Sequence, residues 1–198
     1  MVNDPSKVTT RLKGNILLLV YFHARINLMT ETNQLIDNMN RIGVHFLVDA
    51  SDPGLTDSLT PAALLAGLAA QSDARMRLAL IAVLLQRPDY ANYAHEALEL
   101  LDEPQQLTFK LYYTAANYLQ IAYANQLNDV LGLYNKLTDY YSEELNIEKD
   151  NSVADELKQL AELHKEITGL PLNWYGTYNS AAQRVIARLK KEQAWAMV

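Results

Sequence analysis

Arg41 and His45 stand four positions apart in the run Arg41-Ile42-Gly43-Val44-His45, and arginine beside histidine is a pair that can work on a phosphate ester. The guanidinium would stabilise the charge of a phosphorane while the imidazole moves a proton. Arg41 at a helix end also serves as an ordinary C-terminal cap facing the last carbonyls. His95 and Glu99 form a second set. Four apart on a helix, they share a face and present two kinds of metal ligand. Glu99 stands where a zinc-hydrolase helix would carry its second histidine, and no third ligand is near in sequence, so a solvated helix face accounts for the pair. Asp49, Ser51, Gly54 and Asp57 fall at positions one, three, six and nine of a calcium loop, but Pro53 and Thr60 withhold the ligands needed at five and twelve. A turn-rich linker accounts for that stretch. Neither set closes, so neither a metal site nor a cofactor is expected.

Two further groups offer surface rather than catalysis. The chain has twelve tyrosines, and seven of them (Tyr112, Tyr113, Tyr118, Tyr123, Tyr134, Tyr140, Tyr141) gather between positions 112 and 141. Their rings suit a core and their hydroxyls its rim. If a small-molecule pocket exists, Tyr112, Tyr113, Tyr118 and Tyr123 are its expected lining. Farther on, Val153, Leu157, Leu160, His164 and Ile167 recur at alternating steps of four and three, which makes a coiled-coil-like seam. Ala161 and Leu163 widen it. One side must pack on its own domain, and the other is expected to meet a partner helix from another protein or a second copy. Leu157, Leu163, His164 and Ile167 are the expected interaction residues.

These side chains need helices to place them. The stretch from Thr60 to Leu101 carries the clearest boundary signals. Thr60 can cap a helix opening on Pro61, where a missing N–H costs nothing. Asp73 can cap the next, in which Met76, Leu80, Val83 and Leu84 make a stripe widened by Leu78, Ile81 and Leu85. A helix apolar over most of its girth is buried. Pro88 marks its stop, and Asp89 can cap a helix over Tyr90–Leu101. Asp102 with Pro104 opens a long helix to about Asn125, and another is expected over Leu127–Leu145. Ser152 caps Val153–Thr168, which ends on Gly169. Asn173-Trp174-Tyr175-Gly176 reads as a turn before a last helix over Tyr178–Ala194. Upstream, helices are expected over Thr10–Met29 and from Thr30 to Gly43. Val44–Val48 is a strand, extended chain packed over the core, or a continuation of the helix.

Two resemblances follow from these residues. Asp73-Ala74-Arg75-Met76-Arg77, at the start of a second helix behind an Ala/Leu-rich first one, resembles the HEAT repeat over residues 61–87. The resemblance implies a helix pair whose Asp and Arg hold neighbouring pairs in register, within a scaffold that binds proteins. No second copy of the pattern follows at the period of roughly 40 residues that such solenoids show. Arg41 followed by His45 resembles the Arg/His pair of all-helical ribonucleases of the HEPN group. Here the gap is three residues, shorter than that group's, with Gly43 inside it.

With 198 residues, 49% hydrophobic and 20% charged, the chain can bury a substantial core without staples, and it has no cysteine. The fold class expected is all-α, a compact bundle of about seven or eight helices, with an N-terminal pair over 1–50 and a bundle over 60–198 as one compact domain. The net charge of −6 speaks against nucleic acid as a general partner. The segment from Asp139 to Glu166 holds nine acidic and three basic residues, whereas Arg184, Arg188, Lys190 and Lys191 make the last helix basic. The apolar run Ile16–Phe22 is closed by His23 and Arg25, too short to span a membrane. A cytoplasmic helical interaction or accessory subunit is the expected function. The alternatives are an Arg/His ribonuclease and a small-molecule binder with a tyrosine-lined pocket.

Overall fold

A computed structural model describes residues 32–47, 58–132, 135–149 and 152–196. They are all-α, with eight α-helices and one 3-10 turn among them. Helix α1 covers 32–41, α2 Pro61–Ala69, α3 Ala74–Gln86, α4 Ala94–Glu99, α5 Glu103–Ala122, α6 Ala124–Leu131, α7 Val153–Thr168 and α8 Trp174–Ala196. The helix expected over Thr10–Met29 and the Asp49–Asp57 part of the calcium-like loop lie outside the described residues.

The boundaries rest on capping chemistry. The Thr60 hydroxyl accepts from Ala63 N at 3.2 Å, and Asp73 accepts from Arg75 N at 2.7 Å. Asp102 and Gln105 make a reciprocal capping box, at 2.9 and 3.2 Å, at the head of α5. Ser152 accepts from Asp155 N at 3.2 Å to open α7, and Gly169 at φ 64° closes it in the left-handed region. Each cap supplies a partner for a backbone group that a helix end would otherwise leave unbonded.

Helix α3 is the centre. Leu80, Ile81, Val83, Leu84 and Leu85 are all 0% exposed. It packs against α2, α5 and α8, while α7 packs on α5 and α8, and α6 packs on α8. Helix α1 closes in through Leu35, Ile36 and Met39, which belong to the same buried cluster. A Cβ on Gly67 would come within 2.7 Å of Leu35 Cδ2, so the glycine lets α1 approach α2 closely. After Gly43, residues 44–47 run as irregular chain and not as a strand, with Val44 and Leu47 buried. The stretch expected as one helix over Tyr90–Leu101 is instead the 3-10 turn Pro88–Tyr93 followed by α4.

The helix expected over Leu127–Leu145 is not formed. Helix α6 ends at Leu131, Gly132 adopts φ 73°, and residues 135–149 make a strap without helix. Residues 133 and 134 lie outside the description. The reason is a ladder of polar side chains on α5. Tyr113 Oη donates to Thr138 O at 3.0 Å, and Asn117 Nδ2 donates to Leu137 O at 2.9 Å. Gln120 donates to Asn135 O at 3.2 Å and accepts from Leu137 N at 2.7 Å. Tyr118 Oη donates to Ser142 Oγ at 2.9 Å. Four backbone groups at Asn135, Leu137 and Thr138 are thereby satisfied from α5 and not by a helix's own bonds, while Leu137, Tyr141, Leu145 and Ile147 still enter the core.

Two variants test this frame. Leu80→Asp places an unpaired carboxylate at a fully buried position and is expected to abolish soluble folding; a soluble protein with wild-type melting would contradict the central role of α3. Gln120→Leu strands Leu137 N and Asn135 O at a cost of about 2 kcal/mol. Amide hydrogen exchange should accelerate across 135–142 and leave α3 protected; uniform protection in the strap would show that the ladder does not hold it.

Candidate functional site

The last two helices meet at a tight elbow, Gly169-Leu170-Pro171-Leu172-Asn173. Leu172 N bonds Leu170 O at 2.8 Å, and the Asn173 side chain accepts from Gly176 N at 2.9 Å. Asn173 therefore starts α8 earlier than the sequence reading, and Trp174-Tyr175-Gly176, expected as a turn, is its first helical turn. Beside the elbow lies a groove of about 470 Å³, lined by Ala161, Lys165, Pro171, Leu172, Trp174 and Tyr175 among others. Of its lining residues Leu172 is 46% exposed; Leu170 in the elbow and Ile167 near the end of α7 are 47 and 44% exposed. Lys158 and Lys165 pair with Asp155 and Glu162 at 2.7 and 3.3 Å, which makes the rim polar without adding a net charge from those pairs.

Beneath the groove sits an aromatic box. His164 of α7 stacks on Trp174 with ring centroids 3.6 Å apart and planes 12° from parallel. Tyr112 of α5 meets His164, Trp174 and Tyr178 edge-on, at 5.4, 6.5 and 6.0 Å. The four rings are at most 2% exposed. His164 Nδ1 lies 2.5 Å from Tyr178 Oη. Burial pushes the Tyr178 phenol far above its ordinary range, so it keeps its proton beside a neutral imidazole. Burial first, and the Arg77 guanidinium second, bring His164 down to about 4. Arg77 Nε, Tyr112 Oη and Trp174 Nε1 are buried donors with no acceptor among the described residues. A box surrounded by donors resists a further positive charge.

The expected interaction residues therefore divide. Leu157 and His164 are buried in the domain's own core, and Leu163 is packed against it. Ile167 alone of the four is exposed, and Leu170 and Leu172, which the seam did not include, are exposed as well. No heptad signal marks those two, since the elbow lies beyond the helix. The expected pocket tyrosines also part company. Tyr112, Tyr113 and Tyr118 are 0, 1 and 1% exposed, and burial raises all three phenols, Tyr112 to about 12. Tyr123 bonds Asn179 Oδ1 at 2.9 Å and so ties the α5–α6 junction to α8.

Arg41 is exposed, and the groove that His45 enters is lined instead by Phe46, Gln86, Arg184, Val185 and Arg188. His95 lies against Tyr140 and Tyr141, with ring centroids 5.1 and 6.3 Å away. Among the described residues no group of three or more His, Asp or Glu side chains is placed to hold a metal ion. Among them, too, no helix is long and apolar enough to cross a membrane. No family model, no curated protein and no solved structure matches the chain.

The box makes a pH prediction. The folded-state value of His164 is lowered from an unfolded value near 6.5 to about 4. Above about 6.5 both states are neutral and the full stability is present; below it the unfolded chain takes up a proton that the fold refuses. Stability falls as pH drops through this window, by about 3 kcal/mol in total from this one group. His164→Gln keeps a hydrogen-bonding partner for Tyr178 and removes the titration. Urea midpoints measured from pH 7.5 to 4 should decline less steeply in the variant; identical slopes would assign the acid sensitivity to other groups.

Proposed function

We propose that this chain is a cytoplasmic helical interaction module, without a reaction of its own, that engages another protein or a second copy of itself at the α7–α8 elbow. One observation carries the reading: Leu172, roughly half-exposed, lines the 470 Å³ groove, and Leu170, two residues before it in the elbow, is exposed as well. Single exposed apolar side chains are ordinary, but an apolar side chain at the wall of a cavity fits a partner's anchoring side chain. Covering the exposed half of each leucine contributes roughly 1 kcal/mol. The box beneath supports the same reading. Trp174 lines the groove and is clamped between His164, Tyr112 and Tyr178, so the surface offered is already ordered and little entropy is lost on docking.

The likeness of residues 61–87 to a HEAT unit bears on this reading as a proposal. Asp73 caps α3, and Arg77 reaches back to Ser72 O at 3.4 Å, so the motif's polar residues serve the joint between paired helices. The ribonuclease alternative finds less support, since Arg41 does not line the groove that His45 enters. The binder alternative finds less still, because the hydroxyls of Tyr113 and Tyr118 are spent on the strap.

The double variant Leu170→Ser/Leu172→Ser tests the module. Both side chains are exposed, so melting should move by no more than about 0.5 kcal/mol equivalent. Sedimentation velocity on the pure protein, with quantitative comparison of what copurifies from the native cell, should show an assembly in the wild type that the variant lacks. A wild type monomeric at every concentration, with the same copurifying set as the variant, would sink the reading.

A further inference from the structure

A second concave site lies on another part of the surface, where residues 44–47 cross between the end of α3 and the middle of α8. It is a groove of about 190 Å³, lined by His45, Phe46, Gln86, Arg184, Val185 and Arg188. Val44 and Leu47 are buried and hold the crossing chain down, and the two residues between them turn to the groove. Arg184 and Arg188 are four apart on α8, on either side of the buried Val185, so both heads rise along one edge. No carboxylate is among the described residues that line it, in a chain whose net charge is −6. We propose that this groove binds the phosphate group of a small phosphomonoester.

The lining groups are prepared for that ligand in different ways. Arg184 has its guanidinium carbon 4.4 Å from the centre of the Phe46 ring, which fixes the plane of its fork. Among the described residues Arg184 has no ion pair. Arg188 Nε donates to Glu192 Oε1 at 2.6 Å, which orients the guanidinium and leaves its two terminal nitrogens for an incoming oxyanion. Two arginine forks on one edge match the bidentate geometry that phosphate oxygens accept. His45 Nδ1 lies 3.1 Å from Asn40 Oδ1, which can only accept. Nδ1 therefore donates, and Nε2 remains to accept from a protonated phosphate oxygen or, once protonated itself, to donate to an ionised one. Gln86 Nε2 is taken by Ala82 O at 3.2 Å, so its carbonyl oxygen is the atom left for a ligand hydroxyl.

Size and charge select a small ester over a polymer. About 190 Å³ holds one phosphate and a few carbon atoms. A nucleic acid strand needs a track of cations that neutralises successive phosphates. Among the described residues this groove offers two arginines and one histidine, which is a single point of charge and not a track. The proposal is independent of the elbow and of its reading as a docking surface.

Isothermal titration at fixed ionic strength tests it with three probes: ribose 5-phosphate, ribose, and a ten-nucleotide single-stranded RNA. Ribose 5-phosphate should bind saturably with one site, and ribose should not bind. Arg184→Gln and Arg188→Gln should each weaken the ester about tenfold, the loss expected for one charge-assisted bidentate contact. Arg75→Gln, a charge removed outside the groove, should leave it unchanged. Melting curves run alongside. If Arg184→Gln is destabilised through loss of its Phe46 contact, Arg188→Gln, whose side chain is exposed, still decides. Absence of ester binding overturns the proposal. So does binding that both groove variants leave intact, or RNA that binds more tightly per phosphate than the monoester.

Discussion

A helix that is apolar around its circumference must be covered around its circumference, and α3 imposes that demand here. Nine of its side chains, Met76 and Leu78 through Leu85, are buried. Helices α2, α5 and α8 answer from three sides. Because α3 contributes almost no polar side chain in its middle, its polar residues are confined to its ends. Each end then serves a different place. At the first end Arg77 lends its charge to the His164 box, and at the last Gln86 lines the groove with His45 and Arg184.

The box and the strap show two ways of burying polar atoms in such a core. In the strap, hydroxyls and amides of α5 meet backbone partners one for one, and the cost of desolvation is offset locally. Asp139 belongs to the same economy. Burial alone would raise it, but bonds from Ser142 and the nearby Lys149 outweigh burial and draw it below the usual carboxylate range. In the box, by contrast, stacking of neutral rings carries the contact, and donors without acceptors surround it. The first arrangement is tolerant of acid until carboxylates titrate; the second depends on an imidazole remaining neutral.

Much of the helical frame was legible before any coordinates. Thr60, Asp73, Asp102, Ser152 and Gly169 bound their helices as the sequence suggests, because capping is decided within four residues. The run of Leu, Ile and Val from 78 to 85 announces its own burial. The strap escaped notice for the opposite reason. Leu137, Tyr140 and Tyr141 keep apolar spacing that suits a helix, and what prevents one is the set of side chains on α5, some 17 to 25 positions away. The seam on α7 was visible as a pattern, but which side of it meets its own domain is decided by Trp174 and Tyr178 on the next helix. The neighbours of His45 were beyond reach altogether: Arg184 and Arg188 come from the far end of the chain. Their basic character was evident, but not what they would face.

The strap also has a consequence for how this chain can drift. The bonds that hold it run from α5 side chains to strap backbone, at Asn135, Leu137 and Thr138. Backbone groups are the same whatever residue bears them. Lys136 and Thr138 can therefore exchange freely for other residues, while Tyr113, Asn117 and Gln120 cannot change without stranding their counterparts. Variation should gather on one partner of every such pair and spare the other, so that an apparently irregular segment keeps its path while its spelling wanders.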